Sequence, residues 1–251
     1  MSRRVRLLVF LIGGAAVAAL LSLAFLDMPH FGRSEHLYRD LAVPASVRHA
    51  TANVVSAVNF DQRAVDTFGE ETILIASVVG AAALLRPAKE ETERRPPDTS
   101  RILESTRLVG YLLLPVTLMV GLDVVGHGQL TPGGGFQGGV VLATGLHMLY
   151  VAGSYPALDR LRPLELFDVL DALGAATFAA VGLAGIAIAG SFLTNMISFG
   201  SLGQLFSAGT VPVLNVAVGM EVFAAMVAIL AKFLEQDITV VKRDATEEAG
   251  S

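Results

Sequence analysis

The ten residues at positions 130–139, LTPGGGFQGG, restrict the fold more than any other stretch, because they interrupt a long apolar region. Apolar runs lie on both sides, at 108–125 and at 140–152. Glycine adopts backbone angles that other residues avoid, and it lets neighbouring segments approach closely. We therefore expect one helix to end near His127 and the next to begin at about Gly134.

A glycine-rich loop can also bind phosphate. A P-loop needs a Lys and a Ser or Thr after its glycines, and a dinucleotide fingerprint needs a preceding strand. Here Phe136 and Gln137 follow the glycines, and no Lys is near. A close-packed turn between two membrane helices, begun by a proline that suits a helix start, is the favoured interpretation. The residues of this turn are Pro132, Gly133, Gly134, Gly135, Phe136, Gly138 and Gly139.

The composition indicates a membrane protein. The 251 residues are 53% hydrophobic and only 16% charged, with a mean hydropathy of +0.61. Soluble domains carry about 25% charged residues. The absence of cysteine excludes disulfides, thiolate nucleophiles and cysteine-based metal sites. The low content of charged residues and the high hydropathy therefore predict an all-α integral membrane protein.

Six segments qualify as transmembrane helices, given that about 20 apolar residues cross the bilayer core. They are approximately 7–26, 65–85, 107–125, 134–153, 167–190 and 212–234. The first follows three arginines and resembles a signal peptide, but its apolar run exceeds the roughly 7–15 residues of such a segment. We interpret it as a retained helix.

The basic residues predict the orientation. With six helices, fourteen of the 18 Lys and Arg residues fall on the side that holds both termini. The positive-inside rule makes this side cytoplasmic and places the glycine-rich turn outside. The charged, proline-containing linker KEETERRPPDTS at 89–100 predicts a boundary between a two-helix segment at 1–88 and a four-helix domain at 101–240. A polar tail at 241–251 follows.

Ionisable groups inside membrane helices are costly and by default suggest function. Glu221 lies nine residues after Pro212, about 14 Å along the helix and near the middle of the bilayer. Its neighbours in sequence offer no partner, so its carboxyl can carry a proton at neutral pH. The alternative is a protonated, hydrogen-bonded structural residue. We favour a role in proton or cation handling.

The second predicted helix begins with several acids. Asp66 and Glu70 are four residues apart and share one face, whereas Glu71 is turned about a quarter-circle away. Acids at a helix N-terminus are also favoured by the helix dipole, which accounts for Asp66 better than for the deeper Glu70. We include both in a possible cation path.

Three further residues are candidates for ion translocation. His147 lies about 20 Å along its helix, where a structural hydrogen bond and a proton relay are equally compatible with the sequence. Asp123 and His127 are four apart, so they either pair with each other or form a proton entry. No catalytic motif, carboxylate–histidine metal cluster or redox ligand is recognisable. We therefore expect no enzyme activity and no cofactor.

The segment GLDVVGHGQLTPGGGFQGGVVLATGLHML at 121–149 resembles the MrpB (MnhB) subunit of multisubunit Mrp-type Na+/H+ antiporters. The resemblance extends over about 103–234 and includes a T-x-P motif at 210–212. The upstream segment 53–85 resembles the C-terminal tail of the MrpA subunit, which stands alone as MbhE in membrane-bound hydrogenases. Its motif residues are Asn53, Val54, Val55, Asp61, Arg63, Asp66, Thr67, Gly69 and Glu70.

The resemblance implies a fusion of these two pieces in one subunit of a cation/proton antiporter complex in a prokaryotic plasma membrane. Its partners would be other large and small Mrp-type subunits, membrane lipid, Na+ and H+, with no nucleic acid. From this motif, the resemblance implies a functional role for Glu70. Where relatives commonly have an Asp after T-x-P, this chain has Asn215. Alternatives are a non-transporting scaffold in the membrane arm of a hydrogenase-like or complex I-like enzyme, and a stand-alone transporter, which the lack of inverted repeats disfavours.

Overall fold

The computed structural model describes residues 3–28, 36–85, 102–152, 158, 160–161 and 163–238. The predicted linker at 89–100 and the tail at 241–251 lie outside these residues. Within the described part the chain is entirely helical. It contains α1 (Arg3–Leu26), α2 (Leu37–Arg48), α3 (Val54–Ala57), a π-helical turn (Val58–Gln62), α4 (Ala64–Leu84), α5 (Glu104–Gly126), α6 (Gly135–Val151), α7 (Leu164–Ala189) and α8 (Val211–Ile238).

Five of these helices, α1, α4, α5, α7 and α8, are long and apolar enough to cross a membrane. Their bounds agree with the predicted spans to within a few residues. The remaining predicted span corresponds to α6, which has 17 residues and is shorter than the other five. The turn that precedes α6 agrees closely with expectation, since α5 ends at Gly126 and α6 begins at Gly135.

The chain divides into two compact units, Met1–Leu41 and Ala42–Ser251. In the first unit every described side chain of α1 is exposed. The second unit contains the helical bundle. Its central element is α8, which packs against α4, α5, α6, α7 and the π-helical turn and is mostly buried.

Two apolar clusters hold α8 in place. One surrounds its first turns and includes Phe60, Phe178 and Leu214. The other surrounds its later turns and includes Leu146, Phe167 and Val227. Because α8 contributes to both clusters, polar residues along it are brought against several neighbouring helices.

Candidate functional site

The glycine-rich turn joins α5 to α6 and lies against α8. Gly133 and Gly134 have φ angles of +133° and +137°, which L side chains rarely adopt. A Cβ atom added at Gly138 would lie 2.8 Å from the Gly121 carbonyl oxygen of α5, and one at Gly139 would lie 2.9 Å from the Gly219 oxygen of α8. Small residues here let α6 pass between two backbones.

The other residues of the predicted turn have different surroundings. Pro132 is exposed. Phe136 is partly buried and packs against the cluster around the first turns of α8. Gly135 donates its backbone N–H to the side-chain Oδ1 of Asn215, at 2.9 Å. This bond satisfies one of the free N–H groups at the start of α6.

Asn215 connects three parts of the bundle. It is fully buried on α8. Its amide nitrogen donates to Ser56 Oγ of α3 at 3.0 Å and to the Val211 carbonyl oxygen at 3.1 Å, while its oxygen accepts from Gly135. All of its strong hydrogen-bonding groups therefore have partners, which is the usual condition of a buried polar side chain.

Asn53 forms a second connection to the same turn. Its side-chain nitrogen donates to the carbonyl oxygens of Gly128 at 2.7 Å and Thr131 at 2.8 Å, and more weakly to that of Gly133 at 3.4 Å. Its oxygen accepts from the backbone N–H groups of Val55 and Ser56, so it caps α3. The segment before α4 is thus fastened to the loop between α5 and α6.

Deeper in the bundle, two carboxyl groups interact across α4 and α8. They belong to Glu71, whose exposed fraction is 2%, and Glu221, whose exposed fraction is 0%. None of their four oxygens accepts a hydrogen bond from an amide or hydroxyl group of the described residues. Asp171 of α7 is close enough to act electrostatically on both. The pair therefore lacks the polar partners that normally accompany buried carboxyl groups.

Close packing of α7 positions Glu221. A Cβ atom at Gly174 would lie 2.6 Å from the Ala217 carbonyl oxygen and 2.9 Å from Glu221 Cβ. The backbones of α7 and α8 therefore meet at this level. On the other side, Thr67 of α4 donates to the Asn59 carbonyl oxygen at 2.8 Å and anchors the start of α4 to the π-helical turn.

The two predicted acids of α4, Asp66 and Glu70, are both exposed, whereas the adjacent Glu71 is buried. Asp66 is exposed and pairs with Arg63, with an N–O distance of 2.6 Å. Glu70 is also exposed. Glu71, which the sequence reading set apart from the other two, is the acid that faces Glu221. A signal for this existed, because Ala64, Thr67, Glu71 and Leu74 follow the helical period of a buried face.

The remaining predicted site residues lie at the surface, as Asp123 and His127 do, or inside the bundle, as His147 does. His127 Nδ1 lies 2.9 Å from Asp123 Oδ1, and both side chains are substantially exposed. Of the two interpretations for this pair, mutual contact is the one with a direct geometric basis. The Nε2 atom of His147 is buried within the bundle. Neither His147 nor the Asp123–His127 pair contributes to the Glu71–Glu221 contact.

Sequence reasoning also missed a second acid–histidine pair. His49 Nδ1 lies 2.5 Å from Asp61 Oδ2, and the His49 ring stacks on Phe199 with 4.2 Å between centroids. Asp61 is the first charged residue of the motif at 53–70, which ends within α4. Among the described residues, no group of three or more His, Cys, Asp or Glu side chains is arranged to hold a metal ion.

The fold and the site together define a multi-pass membrane protein with a carboxyl pair buried between two of its helices. The MnhB family profile, described as a domain related to the MnhB subunit of a Na+/H+ antiporter, matches residues 105–228. Uncharacterized protein MJ1307 of Methanocaldococcus jannaschii is 33% identical over 197 residues, which cover 69% of this chain and 74% of that protein.

Two solved structures are also similar. A chain of the membrane-bound sulfane sulfur reductase, an archaeal respiratory membrane complex, has a TM-score of 0.68 and 28% identity, with 92% of this chain and 98% of that chain covered. A chain of the Mrp complex from Dietzia sp. DQ12-45-1b has a TM-score of 0.66 and 24% identity, with 97% of this chain and 27% of that longer chain covered. The protein belongs to the MnhB family and is a multi-pass protein of the prokaryotic cell membrane.

Proposed function

We propose that this chain is a membrane subunit of a multisubunit cation/proton antiporter complex, in which the Glu71–Glu221 pair takes part in ion movement. The observation that carries the proposal is this carboxyl pair, buried between α4 and α8 without a hydrogen bond from an amide or hydroxyl group. Its partners in the complex are other large and small antiporter-like subunits. We propose no catalytic reaction and no cofactor for this chain.

The pair suits ion handling for a simple electrostatic reason. Two carboxylates in contact in a medium of low dielectric constant repel each other strongly, so they do not both ionise without a cation. A proton held between them, or a small cation such as Na+ in its place, relieves this repulsion. Groups that exchange one for the other are what an antiporter requires.

The extent of the similarities supports a two-part subunit. The MnhB match begins at residue 105, whereas the likeness to the sulfane sulfur reductase chain covers 92% of this chain. The hydrogen bonds of Asn53 and the Glu71–Glu221 contact both join the segment before residue 88 to the MnhB-like part. The proposal therefore assigns 1–88 to an MrpA-tail-like or MbhE-like piece and 101–240 to the MnhB domain.

We further propose six transmembrane helices with both termini in the cytoplasm. The 17 residues of α6 correspond to about 25 Å at 1.5 Å per residue, close to the roughly 30 Å of the hydrocarbon core. The bias of Lys and Arg toward the side of the termini supports this orientation. The glycine-rich turn then lies at the outer face.

The test is antiport by the complete complex in everted vesicles, with Na+-induced dissipation of a pH gradient as the readout. Glu71→Gln and Glu221→Gln are each expected to abolish most Na+-dependent proton movement while the complex still assembles. Glu70→Gln, one position away and exposed, is the matched variant. Loss in Glu71→Gln with activity retained in Glu70→Gln supports the buried pair, and the reverse pattern assigns the path to Glu70.

A non-transporting structural subunit is the second candidate. The hydrogen bonds of Asn53 and Asn215 favour it, because they join the two parts of the chain as a scaffold requires. The similarity to a chain of an archaeal respiratory complex is consistent with such a role beside a redox arm. Normal antiport and assembly in the Glu71→Gln/Glu221→Gln double variant would establish this candidate in place of the first.

A further inference from the structure

A cleft of about 300 Å³ lies between α4 and α7, beside the carboxyl pair. Its wall includes Phe68, Glu71 and Thr72 of α4 and Ala175, Ala176 and Ala179 of α7. These residues come from the interior of both helices, several residues away from either end. In a membrane the cleft therefore opens sideways into the bilayer plane and not toward water.

Glu71 makes a lipid-filled cleft unfavourable. It lines the cleft, is 98% buried by the rest of the chain and accepts no hydrogen bond from a described amide or hydroxyl group. The charged groups that act on it are also acidic, namely Glu221, Glu70 and Asp171. Hydrocarbon chains supply neither a hydrogen bond nor a compensating charge, so whenever the proton shared with Glu221 leaves, Glu71 is stabilised by a polar partner from outside this chain.

The α7 wall of the cleft is suited to contact with another helix. Ala175, Ala176 and Ala179 present methyl groups at the spacing that lets transmembrane helices approach closely. A volume of about 300 Å³ is too small for a helix segment, whose diameter is about 10 Å, but it has room for a single side chain. A helix lying across its mouth would insert one residue toward Glu71.

We propose that a transmembrane helix of a partner subunit packs over the α4–α7 cleft and directs a basic side chain toward Glu71. The acidic groups around Glu71 favour a positive charge on the partner. The small alanine side chains of α7 let the partner helix approach closely. The inference rests on the proposed function, since it assumes that this chain works within a complex. It identifies the α4–α7 cleft as the surface on which the partner subunit packs beside the carboxyl pair.

The test uses single cysteines, which are unique in this chain because it contains none. Ala176→Cys is labelled with a lipid-soluble maleimide in the isolated full chain and in the complete complex. Met119→Cys, exposed on α5 and not part of the cleft wall, calibrates the reagent. Labelling at position 176 is expected to fall several-fold in the complex. Equal labelling in both preparations would show that lipid fills the cleft and would overturn the proposal.

The identity of the partner residue is tested by crosslinking. A photoactivatable maleimide on Ala176→Cys in the complex is expected to capture a transmembrane peptide that contains Lys, Arg or His. A captured peptide without a basic residue contradicts the predicted charge. Crosslinking does not depend on transport. It can therefore support the partner helix even if Glu71→Gln leaves antiport unchanged, so the inference and the proposed function are tested separately.

Discussion

Replacement of Asn53 by alanine is expected to weaken the joint between the two parts of the chain. The change removes two short hydrogen bonds, of 2.7 and 2.8 Å, to the carbonyl oxygens of Gly128 and Thr131. The Thr131 oxygen can be rehydrated, but Gly128 is buried. At about 1 kcal/mol for each bond and about 1 kcal/mol for the lost helix cap, the expected destabilisation is about 3 kcal/mol.

Two further variants separate the contributions. Asn53→Asp keeps an oxygen that caps α3 but loses the donors and turns a carboxylate toward carbonyl oxygens, so it should be at least as destabilising as alanine. Asn59→Ala removes an amide of the same kind from the neighbouring π-helical turn, and the Asn59 side chain forms no hydrogen bond with the described residues. It should have little effect.

The assay is thermal unfolding of the full chain in detergent, followed by size-exclusion chromatography of the remaining folded fraction. For a chain of this length a loss of about 3 kcal/mol corresponds to a fall in Tm of about 6–12 °C. The reasoning is refuted if Asn53→Ala and Asn59→Ala unfold at the same temperature. It is also refuted if Asn53→Asp is as stable as the unmodified protein, since the cap alone would then account for Asn53.

Four other substitutions are tested by the same unfolding assay. Gly138→Ala forces a methyl group against the Gly121 carbonyl oxygen and should cost about 2 kcal/mol, whereas Gly80→Ala, with open space around its Cβ, should be neutral or gain up to about 1 kcal/mol. Phe178→Ala, which removes a buried ring whose centroid is 5.9 Å from that of Phe68, should cost about 3–5 kcal/mol. His127→Gln breaks an exposed pair and should change stability by less than about 1 kcal/mol, so a larger loss would reveal a structural role.

The long apolar helices were predictable because burial in a bilayer imposes a local rule on sequence, whereas the shorter helices between residues 37 and 62 were not predicted. A membrane helix must satisfy its backbone internally and present apolar side chains, so length and hydropathy suffice to locate it. The start of α4 was found in the same way, although its first two turns carry Asp66, Glu70 and Glu71. The glycine-rich turn was predictable for a similar reason, because the residues that permit its backbone angles are adjacent in the sequence.

The partner of each buried polar group was not predictable. Glu70 and Glu71 differ by only 100° around α4, and which of them is buried depends on where α7 and α8 pack. The apolar residues Phe68 and Leu74 lie on the side of Glu71, and this was the usable signal. The bonds of Asn53 join residues more than 70 positions apart and leave no periodic trace in the sequence.

The hydrogen bonds of Asn215 support placing the proposed ion-handling role deeper in the bundle. The family resemblance predicts an Asp at this position, but the Asn215 nitrogen donates to Ser56 and to the Val211 carbonyl oxygen, which a carboxylate cannot do. Its oxygen also caps α6 through the N–H of Gly135. A neutral amide therefore satisfies every partner at this level without binding a cation. With this position occupied by a structural amide, we propose that protons and cations exchange at the Glu71–Glu221 pair, whose Glu221 lies about one and two-thirds turns further along α8.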